Sequence, residues 1–108
     1  YQINEPNFVS KKTIIKNLEI FKNDKKNQYL KNKIVVIENA DPGYDWIFSK
    51  KISGLITKFG GANSHMTIRC AELNLPAMIG CGPKIYNEIC NSKKIELNCK
   101  SKKNNIIL

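Results

Sequence analysis

The only histidine of the chain, His65, directly follows the sequence Gly-Gly-Ala-Asn-Ser and begins a segment with a helical pattern. The N–H groups at a helix start have no intrahelical partners, and the helix dipole adds positive partial charge there. Such a position binds phosphate groups. An imidazole, with an ordinary pKa of about 6.5, is largely neutral and nucleophilic at neutral pH. The spacing therefore predicts a histidine that accepts a phosphoryl group covalently and passes it on.

Residues around this histidine have side chains or backbone freedom that suit phosphate binding. Gly60 and Gly61 permit a positive φ and a close backbone approach, although they also suit a simple bend. Ser64 is a favourable N-cap, which makes His65 the first helical residue. Arg69 lies one helical turn further on the same face, where it can pair with phosphoryl oxygens or remain an exposed charge. The residues predicted to position a phosphate are Thr57, Gly60, Gly61, Ser64 and Arg69.

Strands and helices alternate around this segment. One or two strands are predicted within residues 8–21, and short buried strands at 34–37, 54–57 and 77–79. A helix from His65 to about residue 73 is stopped by Pro76, and a later one starts at Pro83. A closing hairpin is predicted from residue 95 onward, with a polar turn at 100–105 and a last strand at 106–108. These elements indicate an α/β fold with a mixed sheet and flanking helices.

Acidic and aromatic residues occur between the second and third predicted strands. Asp41 is placed to cap a short helix that has Pro42 in its first turn and runs to about residue 48. Asp45 and Trp46 lie within that helix. We interpret them as parts of a cap and of a core or docking face, without a chemical role.

Length and charge limit the classes of protein that fit. The 108 residues suit one domain at 7–108, preceded by a linker at 1–6. The net charge of +9 is explained by a lysine-rich surface, and attraction to a phosphorylated ligand or to nucleic acid is the alternative. Nucleic acid is disfavoured because arginine occurs once and aromatic residues do not alternate with the basic runs. No apolar run approaches the roughly 20 residues that span a bilayer, so no membrane partner is expected.

Cysteine spacing and the known nucleotide motifs give further expectations. Cys70, Cys81, Cys90 and Cys99 show no close C-x-x-C pair, which favours free, mostly buried thiols over a metal site. No G-x-x-x-x-G-K-[ST] segment is present. We therefore expect this domain to bind no cofactor itself, and we expect other domains to load and unload its histidine.

Three segments carry a resemblance to a known family. Residues 54–57, 60–65 and 71–80 read Gly-Leu-Ile-Thr, Gly-Gly-Ala-Asn-Ser-His and Ala-Glu-Leu-Asn-Leu-Pro-Ala-Met-Ile-Gly. This pattern resembles the mobile phosphohistidine domain of the PEP-utilising enzymes, a family that includes phosphoenolpyruvate synthase, pyruvate phosphate dikinase and rifampin phosphotransferase. The strong part of the resemblance covers residues 33–82.

The resemblance implies a swivelling β/β/α domain of a cytoplasmic multidomain enzyme. It implies that His65 is phosphorylated, with Thr57, Gly60, Gly61 and Ser64 around it. In such enzymes an ATP-grasp domain of the same polypeptide binds ATP and Mg²⁺ and donates the β-phosphoryl group, leaving AMP and phosphate. The mobile domain then delivers the phosphoryl group to a small-molecule acceptor on another domain.

The chain departs from the common family pattern at several positions. Asn63 stands where threonine is usual, and Met66 and Thr67 replace small residues. Ala71 occupies the usual arginine position, while Arg69 comes two residues earlier. These positions belong to the surface that would dock at the acceptor site.

The segments at 39–46 and 63–66 are similar to a further branch of the family. That branch contains small-molecule kinases of surface-polysaccharide pathways, such as the L-glutamine kinase of capsular phosphoramidate synthesis, so L-glutamine is a candidate acceptor. Two alternatives stay open: a carrier domain of a phosphoenolpyruvate/pyruvate dikinase, and a non-catalytic module that binds a phosphorylated ligand. A nucleic-acid module would show steeply salt-dependent binding.

Overall fold

Strands rich in β-branched residues form the centre of the domain. The computed structural model describes residues 7–20, 30–39, 42–61, 64–100 and 103–107. Within these ranges the strands are β1 (Asn7–Val9), β2 (Thr13–Ile20), β3 (Ile34–Asn39), β4 (Gly54–Phe59), β5 (Ala77–Ile79), β6 (Lys94–Asn98) and β7 (Lys103–Ile107). The helices are a 3₁₀ helix (Pro42–Lys50), α1 (His65–Glu72) and α2 (Gly82–Cys90).

The described strands make one mixed sheet in the order β1-β5-β4-β3-β2-β6-β7. The four central strands, β5, β4, β3 and β2, are parallel, and β1, β6 and β7 pair antiparallel at the two sides. The 3₁₀ helix connects β3 to β4, and α1 connects β4 to β5. Because parallel neighbours end at the same edge of a sheet, both helices begin at the carboxyl edge, where α/β proteins bind ligands.

Two apolar layers hold the helices to the sheet. Side chains alternate between the faces along each central strand. The first face packs against α1 and the 3₁₀ helix through Val35, Ile37, Ile47, Leu55, Met66, Cys70, Ala77 and Ile79. The second packs against α2 and β6 through Ile34, Val36, Ile56, Met78, Ile89, Ile95 and Leu97. All of these are at most 1% exposed, so the helices are fixed on both sides of the sheet.

Most predicted elements are confirmed. The structure is an α/β domain with a mixed sheet and flanking helices, as the β/β/α expectation requires. The region at 8–21 contains two strands, and the helix that starts at His65 ends one residue before the predicted end. The four cysteines are free, and three of them are buried. In the described ranges, no helix has the length and apolarity needed to cross a bilayer.

One prediction at this level needs correction, and others fall outside the described ranges. The last strand begins at Lys103, so part of the predicted polar turn is strand. Asn104 and Asn105 pair with Leu97 and Glu96 of β6, because ladder hydrogen bonds use the backbone and do not require apolar side chains. The predicted linker at 1–6 and the predicted cap Asp41 lie outside the described residues.

Candidate active site

The N-terminus of α1 has the predicted cap. Ser64 has extended backbone angles (φ −69°, ψ 155°), and its Oγ accepts a hydrogen bond from the backbone N–H of Thr67 at 3.3 Å. The N–H of Ile68 donates to the carbonyl oxygen of Ser64 at 3.1 Å, which closes the first helical turn. His65 is therefore the first residue of the helix, and its side chain is 43% exposed.

A hydroxyl pair ties this cap to the glycine turn. The Oγ1 of Thr67 donates to the carbonyl oxygen of Gly61 at 2.8 Å. Because a threonine hydroxyl has one hydrogen, the 2.8 Å contact between the hydroxyls of Ser64 and Thr67 must have Ser64 as its donor. In the described ranges the backbone N–H groups of His65 and Met66 have no acceptor, so they are available to an anion at the helix start.

An aspartate and an arginine lie beside the imidazole. The Nε2 of His65 is 2.9 Å from the Oδ1 of Asp45, and the Nε of Arg69 donates to the same oxygen at 3.2 Å. The guanidinium of Arg69 also lies 5.5 Å from the ring centroid of Phe48. Asp45 and Phe48 belong to the 3₁₀ helix, so this helix and α1 together hold the arginine within reach of the histidine.

Sequence reasoning missed the contacts of Asp45 with His65 and Arg69, because the pattern indicates only a cap or a docking face at this position. It is separated from His65 by 20 residues, and only the side-by-side placement of the 3₁₀ helix and α1 brings the two together. The hydrogen bond from His65 is the main cause that lowers the pKa of Asp45 from its ordinary value, and the positive charge of Arg69 adds to the effect. The carboxylate is therefore ionised at neutral pH.

Two glycine turns meet at the carboxyl edge of the sheet. Gly60 (φ 147°) and Gly80 (φ 75°) have backbone angles that favour glycine, and a Cβ on Gly80 would meet the carbonyl oxygen of Gly60. At Gly61, by contrast, a Cβ would meet none of the described residues within 4 Å. The backbone of Gly60 is thus closely packed against Gly80, whereas Gly61 has no described neighbour in the direction of a Cβ.

Thr57 lies beneath these turns. Its side chain is fully buried, and its Oγ1 accepts a hydrogen bond from the N–H of Gly80 at 2.9 Å. The backbone oxygen of Thr57 accepts from the N–H groups of Gly80 and Cys81 at 3.0 and 2.9 Å. These contacts give Thr57 a part in fixing the turn at Gly80, and direct contact of its hydroxyl with phosphate stays a prediction.

A cleft of about 730 Å³ opens beside the Gly60–Gly61 turn. Its walls include the glycine turns, the start of α2 and two lysines, Lys58 and Lys84. Lys58 also contacts the rings of Phe59 and Tyr86, with its Nζ 5.1 and 5.2 Å from their centroids. Among the described residues, no group of three or more His, Cys, Asp or Glu side chains could hold a metal ion. The described residues at this site are one histidine, the carboxylate of Asp45 and the guanidinium of Arg69, with Lys58 and Lys84 in the neighbouring cleft.

The structure brings together most of the residues that the sequence singled out. Ser64, His65 and Arg69 lie on the first turns of α1, and Gly60 and Gly61 form the turn before it. Thr57 is the exception, since it is buried below that turn. Their roles in positioning a phosphate stay predictions.

The domain combines an α/β fold with a single exposed histidine on the first residue of a capped helix. This combination is typical of domains that carry a phosphoryl group on a histidine. The chain is a member of the family of PEP-utilising enzyme mobile domains, whose family model matches residues 29–102 and confirms the resemblance.

Relatives include the phosphoenolpyruvate synthases of Aquifex aeolicus, Synechocystis and Escherichia coli. The first is 30% identical over 73 residues, 68% of this chain and 8% of that protein. The second is 32% identical over 56 residues, covering 52% of this chain and 7% of that protein. The third is 39% identical over 49 residues, covering 45% of this chain and 6% of that protein. The chain thus spans less than a tenth of the length of these relatives.

Proposed function

We propose that this domain is the phosphocarrier of a multidomain kinase or dikinase, in which His65 carries the phosphoryl group between two active sites. The observation that supports this most directly is the placement of an exposed imidazole on the first residue of a capped helix. Membership of the PEP-utilising mobile-domain family supports the same role.

Each group near His65 has a part in this proposal. A ring nitrogen of His65 attacks the phosphorus with its lone pair, and the electron pair of the broken P–O bond stays on the leaving oxygen. The N–H groups of His65 and Met66, which have no acceptor among the described residues, and the helix dipole stabilise the phosphoryl oxygens. Arg69 supplies a positive charge one helical turn away. The exposed side chain of His65 allows another domain to approach the ring.

The donor and the acceptor belong to other domains in this proposal. An ATP-grasp domain of the same polypeptide binds ATP and Mg²⁺, transfers the β-phosphoryl group to His65 and releases AMP and phosphate. The mobile domain then swings to a domain that holds a small-molecule acceptor, for which the amide of L-glutamine is our first candidate. The small share of the relatives' length that the chain covers is consistent with such additional domains. We place the enzyme in the cytoplasm, where ATP is available, and assign it no nucleic-acid or membrane partner.

A second candidate differs in its donor and acceptor. The three relatives are named phosphoenolpyruvate synthase, and their similarity favours exchange of the phosphoryl group with phosphoenolpyruvate or pyruvate. His65 has the same carrier role in both candidates, so the identity of the labelled donor separates them. A module that only binds a phosphorylated ligand would carry no covalent label.

The test is the mass of the full-length protein after incubation with labelled donors. ATP labelled at the β- or γ-position and labelled phosphoenolpyruvate are supplied separately, and the products are kept at alkaline pH, where phosphohistidine survives. His65→Ala is the negative control, and its folding is checked by circular dichroism.

Each result has a distinct meaning. A label from the β-position that requires His65 supports the ATP-loaded carrier. A label from phosphoenolpyruvate alone supports the second candidate. If no donor labels the native protein, or if His65→Ala retains the label, the carrier proposal is refuted.

A further inference from the structure

The cleft of about 730 Å³ beside the Gly60–Gly61 turn has a positively charged wall. It lies at the carboxyl edge of the sheet, where β4 and β5 end and α2 begins. The described residues that line it include Lys58 and Lys84 but no aspartate or glutamate. Sites for small molecules usually have volumes of roughly 300–1,000 Å³. The cleft is therefore suited in both size and charge to a small anion.

The two lysines of the cleft are available to such an anion. The Nζ of Lys58 lies 5.1 Å from the ring centroid of Phe59 and 5.2 Å from that of Tyr86, and these contacts hold its side chain in position. Lys84 lies on the first turn of α2 and is exposed. Within the ranges that the structure describes, neither lysine forms an ion pair. Because Lys58 is already ordered, less side-chain entropy is lost when it binds a ligand.

The glycine turn connects this cleft to the histidine. Gly60 and Gly61 line the cleft, and the carbonyl oxygen of Gly61 accepts a hydrogen bond from the Oγ1 of Thr67 in α1 at 2.8 Å. His65 follows Gly61 by four residues and begins the same helix. A ligand in the cleft therefore lies against the turn that leads to the ring. This placement suits a donor whose phosphorus reaches the ring while its other anionic groups occupy the cleft.

We propose that this cleft is a subsite for the phosphoryl donor, in which Lys58 and Lys84 contact the phosphates of ATP that are not transferred to His65. This inference rests on the proposed carrier function. Lysine binds phosphate as a point charge, and glycine turns let phosphate oxygens come close to the backbone. ATP is favoured over phosphoenolpyruvate because two phosphates flank its β-phosphoryl group, whereas phosphoenolpyruvate has only one further anionic group, its carboxylate. Neither lysine gains or loses a covalent bond in this role.

Lysine substitutions in the full-length protein test this inference. Lys58→Gln and Lys84→Gln each remove one charge but keep a long polar side chain, and Lys84→Arg keeps the charge. Lys11→Gln is the matched control, because Lys11 is also exposed but lies at the opposite edge of the sheet, close to Val9, which pairs with the first residue of β5. The three positions are exposed or half-buried, so the variants are expected to fold, and circular dichroism checks this.

The first readout detects the subsite without phosphoryl transfer. Full-length His65→Ala protein, which lacks the carrier side chain, is incubated with Mg²⁺ and ATP, with Mg²⁺ and AMP, or with Mg²⁺ alone. A short acetylation pulse then modifies accessible lysines, and peptide mass spectrometry measures each of them. ATP should reduce the acetylation of Lys58 and Lys84 several-fold, AMP should not, and Lys11 should be unaffected. Absence of protection by ATP, or equal protection by AMP, overturns the inference.

The second readout is the rate at which His65 is labelled in a single turnover of the full-length protein. With limiting β-labelled ATP, Lys84→Gln should be labelled about tenfold more slowly than the native protein, the effect of losing one charge-assisted contact. Lys84→Arg should retain most of the native rate, and Lys11→Gln should be unchanged. Labelling from phosphoenolpyruvate should be slowed less than labelling from ATP. An equal loss with both donors would assign Lys84 to domain docking and overturn the inference.

The outcomes separate this inference from the carrier function. Labelling of the native protein with unprotected lysines, or labelling from phosphoenolpyruvate alone, overturns the ATP subsite while the carrier function stands. If no donor labels the native protein, the carrier function is refuted, and the acetylation result still decides whether the cleft binds ATP.

Discussion

Replacement of Gly80 by alanine should disturb the site from the neighbouring turn. Gly80 has φ 75°, and an added Cβ would meet the carbonyl oxygen of Gly60. The residue cannot move away freely, because its N–H is held by the Oγ1 and the backbone oxygen of Thr57 at 2.9 and 3.0 Å. The methyl group must therefore displace the backbone of the turn that leads to His65.

The expected cost has two parts. A left-handed conformation costs an L residue about 1–2 kcal/mol. Forcing extra volume into a packed position costs about 1–3 kcal/mol more. We therefore expect Gly80→Ala to lower the free energy of unfolding by about 2–5 kcal/mol, a large part of the roughly 5–15 kcal/mol that stabilises a typical domain.

Urea unfolding followed by circular dichroism measures this cost, and Gly61→Ala is the matched control. Because a Cβ on Gly61 meets no described residue within 4 Å, the unfolding free energy of Gly61→Ala should stay within about 0.5 kcal/mol of the native value. Equal stability of Gly80→Ala and the native protein would refute the close packing of the two turns. A loss at Gly61 as large as that at Gly80 would refute the open side of the turn.

Three further predictions concern the same region and the thiols. Thr57→Val should lower the free energy of unfolding in urea by about 1–2 kcal/mol, because the N–H of Gly80 loses its hydroxyl acceptor. Thr57→Ser keeps the hydroxyl and should retain most of the native stability. A valine variant as stable as the native protein contradicts this. The lowered pKa of Asp45 means that its contacts stabilise the folded state above its ordinary value of 3.8 and are lost as the pH falls through the lower folded-state value. The difference in Tm between the native protein and Asp45→Asn should therefore be present at pH 6 and disappear at acid pH, and a pH-independent difference contradicts the argument. Thiol labelling of the native protein at pH 8 should modify Cys90 first, since it is the only partly exposed cysteine of the four. Burial slows the labelling of the other three thiols. It raises the pKa of Cys70 to about 12 and that of Cys81 to about 11, and it also raises the pKa of Cys99. Rapid labelling of more than one thiol contradicts this.

Local signals explain which parts of the site could be predicted. Ser64 before a helical pattern and Pro76 after it fix the limits of α1, because capping and the missing proline N–H act within a few residues. Short β-branched runs likewise identify β3 and β4 as buried strands. The placement of His65 on the first helical turn follows from these signals alone.

Long-range placement explains what sequence reasoning could not reach. The contact between Asp45 and His65 depends on two helices lying side by side on one face of the sheet. The close approach of Gly60 and Gly80 likewise joins turns that follow different strands. Neither contact can be predicted from a periodic sequence pattern, because each residue alone fits an ordinary helix or turn. The buried position of Thr57 depends in the same way on a turn that follows β5.

The pairing of the sheet has a consequence for synthesis on the ribosome. The elements from β3 to β5 that build the site are consecutive in the chain, whereas the earlier strands find their antiparallel partners much later. Val9 pairs opposite Ala77, and Thr13 pairs opposite Asn98. As the chain emerges, β1 and β2 must therefore remain without these partners until the helix that carries His65 has been translated. The edges of β1 and β2 that face β5 and β6 are therefore open to pairing with other chains until those later strands leave the exit tunnel.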